Sequence, residues 1–133
     1  MSIDRLSIFN FRNIVEANLS LSPGVNILYG DNGSGKTSVL EAIHLLCLGR
    51  SFRANNVKKC INFNSEEFVL FAQSVGEETN SKIGVKKDKH SDLCIRVDGS
   101  NLGKLSILAK LNPMQIYEPN TVELVFGPPE TRR

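Results

Sequence analysis

The chain has 133 residues, 41% of them hydrophobic and 23% charged, with a formal net charge of +2. That length holds one domain with its own core and excludes two complete ones. So mild a positive balance lacks the dense basic face of a stand-alone DNA-binding module, and three scattered cysteines without a C-x-x-C pair exclude a disulfide or zinc framework.

Residues 1–5 carry no apolar stretch of signal-peptide length, and no apolar run approaches a membrane span, so a cytoplasmic protein without a membrane partner is expected. Leu6, Ile8 and Phe9 alternate weakly, as a first strand would, until Phe11-Arg12-Asn13 breaks the pattern. From 15 to 21 the alternation is clean, with Val15, Ala17, Leu19 and Leu21 predicted on the buried face of a second strand. Ser22-Pro23-Gly24 reads as a turn, and residues 25–29 as a short apolar strand. After a glycine-rich stretch, residues 39–48 are apolar on nearly every side, interrupted by Glu41 and His44 alone. This is a buried helix capped by Gly49. His44 and Cys47 stand one turn apart, but no further ligand accompanies them.

Residues 50–56 read as polar loop. Three strands then form a meander: 68–75, 82–87 with Ile83 and Val85 on one face, and 93–97, closed by Asp98-Gly99. Residues 104–111 suit a short helix that stops before Asn112-Pro113, and 114–133 have no sustained period.

The chemistry lies in Gly30-Asp31-Asn32-Gly33-Ser34-Gly35-Lys36-Thr37, which fits G-x-x-x-x-G-K-[ST] at every defined position, followed by Ser38. Glycines let successive N–H groups turn inward on phosphate oxygens, and the helix start adds unpaired donors and a positive dipole end. Lys36 supplies a mobile charge for the β- and γ-phosphates, and the Thr37 hydroxyl suits the magnesium ion that bridges them. ATP and Mg2+ are therefore the expected cofactors. A turn that merely joins strand to helix would explain Gly30 and Gly35, but not a Lys and a Thr together. Hydrolysis also needs an acidic residue closing an apolar strand. Asp98 alone is a candidate, and Asp98-Gly99 reads better as a hairpin turn.

Phe11-Arg12-Asn13, the glycine-rich loop, Leu40-Glu41-Ala42-Ile43, Gly49-Arg50-Ser51-Phe52-Arg53, Asn112-Pro113-Met114-Gln115 and the closing Gly127-Pro128-Pro129-Glu130 with Arg132-Arg133 together resemble the bacterial RecF family. These proteins are related to the SMC and ABC-type ATPases. The resemblance runs the length of the chain, departing at Phe126, where the family usually has glycine. It implies a P-loop NTPase of the ABC/SMC head type, an α/β fold whose mixed sheet carries an antiparallel meander and is incomplete in residues 1–133. It further implies an N-terminal part of a longer protein, with the metal-holding acidic strand beyond it.

The same resemblance implies ATP sandwiched in a homodimer, binding to single-stranded or gapped DNA, and work with RecO and RecR in placing RecA. By position, Arg12 and, more weakly, Asn13 join the nucleotide-binding residues. Gln115 matches a glutamine that approaches the magnesium and the attacking water, while Arg50 and Arg53 lie in a loop that faces DNA or the partner. Two other readings compete: a different P-loop enzyme such as a small-molecule kinase, against which the meander speaks, and a non-enzymatic DNA-binding module.

Overall fold

The computed structural model describes residues 2–76 and 80–117. Strand β1 (Ser2–Phe11) turns Leu6 and Ile8 inward by simple alternation. A strict period of two would then send Phe11 to the opposite face. Instead Asn10 takes φ 51°, and Phe11 is fully buried, its ring edge-on to Phe68 with centroids 5.1 Å apart. Asparagine tolerates that left-handed backbone better than most residues.

Arg12 and Asn13 turn the chain into β2 (Ile14–Ser20), which pairs antiparallel with β1 and brings Ile14 opposite Phe11. Val15, predicted to be half-buried, is 68% exposed, while its neighbour Ile14 packs against the core. The departure is confined to the start of the strand, next to the tight turn: Ala17, Leu19 and Leu21, predicted on the same face as Val15, pack against the core as expected.

The meander is observed, with β3 (Glu67–Val75) and β4 (Asn80–Asp88) slightly longer than expected, β5 (Cys94–Val97) one residue shorter, and a fourth short strand, β6 (Ser100–Asn101), that was not anticipated. Phe68, Leu70 and Ala72 of β3 alternate inward and face Ile83 and Val85 of β4 across the ladder. The result is one six-stranded sheet in the order β2-β1-β3-β4-β5-β6. Asp98 and Gly99 make the β5–β6 turn with φ 50° and 83°. The Asp98 carboxylate accepts from the Lys82 backbone N–H at 2.8 Å. Asp98 is a turn residue, as its sequence context indicated.

Helix α1 (Lys36–Leu48) lies against β1, β3 and β4 and starts three residues before the predicted 39, directly on the glycine-rich loop. Ala42, Leu45 and Leu46 fill the core, and Gly49 closes the helix with φ 69°, its N–H on the Leu45 carbonyl. A Cβ at Gly49 would sit 2.5 Å from the Cδ2 of Leu105, the first residue of α2 (Leu105–Leu111), a half-exposed side-chain tip that can shift, so it is the left-handed backbone angle that calls for glycine. Val57–Cys60 forms a 3-10 turn with no counterpart among the sequence-based elements.

Two expectations need correction. The segment predicted as a strand at 25–29 has no sheet partner among the described residues, and Val25, Ile27 and Tyr29 are 86%, 78% and 90% exposed. All ladders among those residues are antiparallel, so the mixed character expected of the sheet is not found there. Both have one cause. A strand is defined by its neighbours, and an apolar run without a pairing edge satisfies its backbone from solvent. The family matches at 126–133, and residues 77–79 of the turn at 76–81, lie outside the described residues.

Candidate functional site

Gly30, Gly33 and Gly35 have φ of 149°, 81° and 100°, so the loop curls through angles that side chains resist. Gly35 is also packed: a Cβ there would meet Ile14 at 3.2 Å. Among the described residues no protein group accepts from the N–H of Gly33, Gly35, Lys36 or Thr37. These four donors and the start of α1 make an anion-binding concavity. They open on a hollow of about 530 Å³ lined by Asn32, Gly33, Gly35, Lys36, Thr37 and Ser38, and by Arg12 and Asn13 from the β1–β2 turn.

Lys36 turns back on its own loop. Its Nζ donates to the carbonyls of Gly30 at 2.6 Å and Asp31 at 2.7 Å, which closes the ring of backbone. The Ser34 N–H donates to the same Asp31 carbonyl at 3.2 Å. Asn13 braces the loop from outside, its Nδ2 donating to the Gly33 carbonyl at 2.7 Å and its Oδ1 accepting from the Ser38 hydroxyl at 2.8 Å. Ser38 thus spends its hydroxyl on the brace, and its contribution to the hollow is not through that oxygen. The Thr37 side chain is exposed at the hollow.

Arg12 has φ 56°, a conformation that is costly for a side chain of its size and that the surroundings must hold in place. Three groups do so. Its N–H donates to the Cys60 carbonyl at 2.7 Å, its carbonyl accepts from Asn62 Nδ2 at 2.7 Å, and its guanidinium forks onto Glu41. Nε donates to Glu41 Oε2 at 2.9 Å and Nη2 to Oε1 at 2.7 Å, while Nη1 reaches the Lys59 carbonyl at 3.1 Å.

Glu41 is the buried centre of this cluster, fully shielded from solvent one turn beyond Thr37 on α1. Besides Arg12 it accepts from the Ser51 hydroxyl at 2.5 Å, from Arg53 at 3.4 Å and from the Cys60 thiol at 3.6 Å. Burial alone would raise the carboxyl; the hydrogen bonds from Arg12 and Ser51 outweigh it and hold Glu41 below its ordinary value. Burial, with the adjacent Glu41 charge, pushes the Cys60 thiol up to about 11. It is a packed thiol, not a reactive one.

Of the residues predicted for the site, the structure brings Asn32, Gly33, Gly35, Lys36, Thr37 and Ser38 to the hollow with Arg12 and Asn13, while Gly30, Asp31 and Ser34 do not line it. It does not bring Gln115 to the hollow: that side chain is exposed, and its Oε1 accepts from the Tyr117 hydroxyl at 2.9 Å. Residues 113–117 follow the end of α2 without joining a strand that could carry Gln115 inward. Arg53 and Lys59 line the hollow, whereas Arg50 is exposed outside it, its carbonyl 2.7 Å from His44 Nδ1. Lys59 and Phe63 also line it and had no motif to announce them. No carboxylate lines it among the described residues, and no group of potential metal ligands occurs there.

The AAA-domain family matches residues 5–123. Over all 133 residues the chain is 49% identical to the DNA replication and repair protein RecF of Salmonella arizonae and 43% identical to that of Shewanella denitrificans. It spans 37% of the length of each of these relatives. A solved structure of the recombination mediator protein RecF with ATP, in the RecFOR pathway, superposes with a TM-score of 0.84 at 29% identity, covering 93% of this chain and 34% of that one. An SMC ATPase structure, concerned with ATP-driven dimerization and DNA-stimulated activation, superposes at 0.80 with 17% identity, over 100% of this chain and 96% of that one. The fold is therefore that of the RecF and SMC P-loop heads.

Proposed function

This chain belongs to the AAA-domain family, and from that premise we propose that it forms the ATP-binding part of a RecF-type DNA repair ATPase. One observation carries the reading. Unspent N–H groups of the loop border a single hollow at the start of α1, and Lys36 lines it with its ammonium held on the loop's own carbonyls. The identity to RecF proteins along the whole chain supports the choice of this family over a small-molecule kinase.

The residues present fit a magnesium nucleotide. The backbone donors of Gly33, Gly35, Lys36 and Thr37 hold phosphate oxygens, and Lys36 exchanges the Gly30 and Asp31 carbonyls for the β- and γ-phosphates. Thr37 would hold the magnesium ion through its hydroxyl, and the ion supplies charge neutralisation of the triphosphate. Arg12 has five N–H bonds, of which three are spent within the protein. The other two are free to meet an anion, so Arg12 supports the phosphates while Glu41 orients it.

The hollow binds more readily than it hydrolyses, because no described carboxylate stands where a water could be activated. We assign the wider activity to the RecF-type protein by resemblance. It is cytoplasmic, dimerises on ATP, engages single-stranded or gapped DNA, and acts with RecO and RecR in placing RecA. Isothermal titration of the chain with ATP and magnesium, beside Lys36→Ala, tests the core of the reading. The wild type binds and the variant loses most of its affinity; equal heats from both would refute the assignment.

A further inference from the structure

Phe63 is 99% exposed, the most exposed large apolar side chain among the described residues. It is not on a loose loop. The Asn62 N–H donates to the Asn10 carbonyl at 2.9 Å, and Asn62 Nδ2 to the Arg12 carbonyl at 2.7 Å. Asn62 also accepts from the N–H groups of Asn64 at 3.1 Å and Ser65 at 3.0 Å, which fixes the turn around Phe63. The ring is thus presented to solvent by backbone pinned to β1 and to Arg12, and it lines the same hollow as Lys36 and Thr37.

That hollow has two chemistries. Lys36, Arg12, Arg53 and Lys59 make it cationic, while Ile61 and Phe63 supply its apolar lining. At about 530 Å³ it is of the size that takes a whole small ligand. A ligand that is polyanionic at one end and flat and aromatic at the other matches both parts. We propose that Phe63 is the platform on which the base of a bound nucleoside triphosphate stacks, an inference that rests on reading the hollow as a triphosphate site. Stacking needs only a π-face and reads no hydrogen-bond pattern. Phe63 therefore holds adenine and guanine alike and adds affinity without choosing between them.

The test is isothermal titration of the full chain with the magnesium complexes of ATP, GTP and inorganic tripolyphosphate. Phe63→Ala lowers the affinity for ATP and GTP by about tenfold and leaves tripolyphosphate unchanged, and Phe63→Trp restores both nucleotides. Unchanged ATP affinity in Phe63→Ala, or an equal loss for ATP and tripolyphosphate, overturns the proposal. So does altered self-association in the variant with no change in nucleotide binding. The underlying triphosphate reading fails separately: in that case Lys36→Ala retains all three ligands, whatever Phe63→Ala does to the ratio of ATP to tripolyphosphate.

Discussion

Arg12 and Glu41, 29 positions apart in sequence, form a two-pronged ion pair of 2.9 and 2.7 Å that joins the β1–β2 turn to the first long helix. The carboxylate is fully buried and the guanidinium side chain 23% exposed. Both members touch the phosphate-binding apparatus, Arg12 by lining the hollow and Glu41 by standing one turn past the loop. The pair fixes the turn that carries Asn13, and Asn13 in turn braces the loop.

Removing one partner strands a charge. Glu41→Ala is expected to destabilise the fold by about 3–5 kcal/mol, because Arg12 is left largely shielded and without its carboxylate. The double variant Arg12→Met with Glu41→Leu recovers most of that loss. Urea denaturation of the three proteins reads both effects, and a Glu41→Ala cost below about 1 kcal/mol would show that the pair is not what secures the turn.

The same carboxyl makes stability depend on acidity. Its folded value lies below the ordinary 4.5, which the unfolded chain regains. The contribution of Glu41 is therefore complete above about pH 4.5 and is lost as pH falls through the lower, folded value. Between about pH 5 and about pH 3 the melting temperature of the wild type should fall more steeply than that of Glu41→Gln, which has no proton to gain there. Parallel melting curves across that range would rule Glu41 out as a source of the acid sensitivity.

The apolar residues ahead of the loop predict behaviour in solution. Val25, Ile27 and Tyr29 are each more than three-quarters exposed, and nothing among the described residues covers them. Large apolar side chains exposed so close together in the sequence favour association. Sedimentation velocity of this chain should show concentration-dependent self-association that Val25→Thr, Ile27→Thr and Tyr29→Ser together reduce. A monomer at all concentrations in both proteins would contradict this.

Much of the fold could be read along the sequence wherever the signal was local. The meander, the Gly49 cap, the Asp98-Gly99 turn and the loop all depend on spacing within a few residues, and each was found. The 25–29 segment has a strand's composition but no strand, because pairing is a property of two segments and hydropathy of one. Val15 and Phe11 failed the period of two for a different reason. Left-handed angles at Asn10 and Arg12 re-aim the chain; asparagine merely tolerates such an angle, and nothing in an arginine announces one.

At the site, the loop residues were legible because phosphate dictates their types. Glu41 left a faint mark as an acid within an apolar helix, yet its partners come from positions 12, 51, 53 and 60 and only the fold assembles them. His44, the other interruption, is likewise turned inward, while Leu40 faces solvent. Polar residues in an apolar helix were here the marks of a buried network.

The ammonium of Lys36 already has two acceptors, the carbonyls of Gly30 and Asp31. An arriving triphosphate therefore does not simply add to a waiting cation; it competes for one. Occupancy becomes a swap of partners, with net gain set by how much better phosphate oxygens serve the lysine than amide oxygens do. A lone anion too weak to win that contest leaves the latch shut.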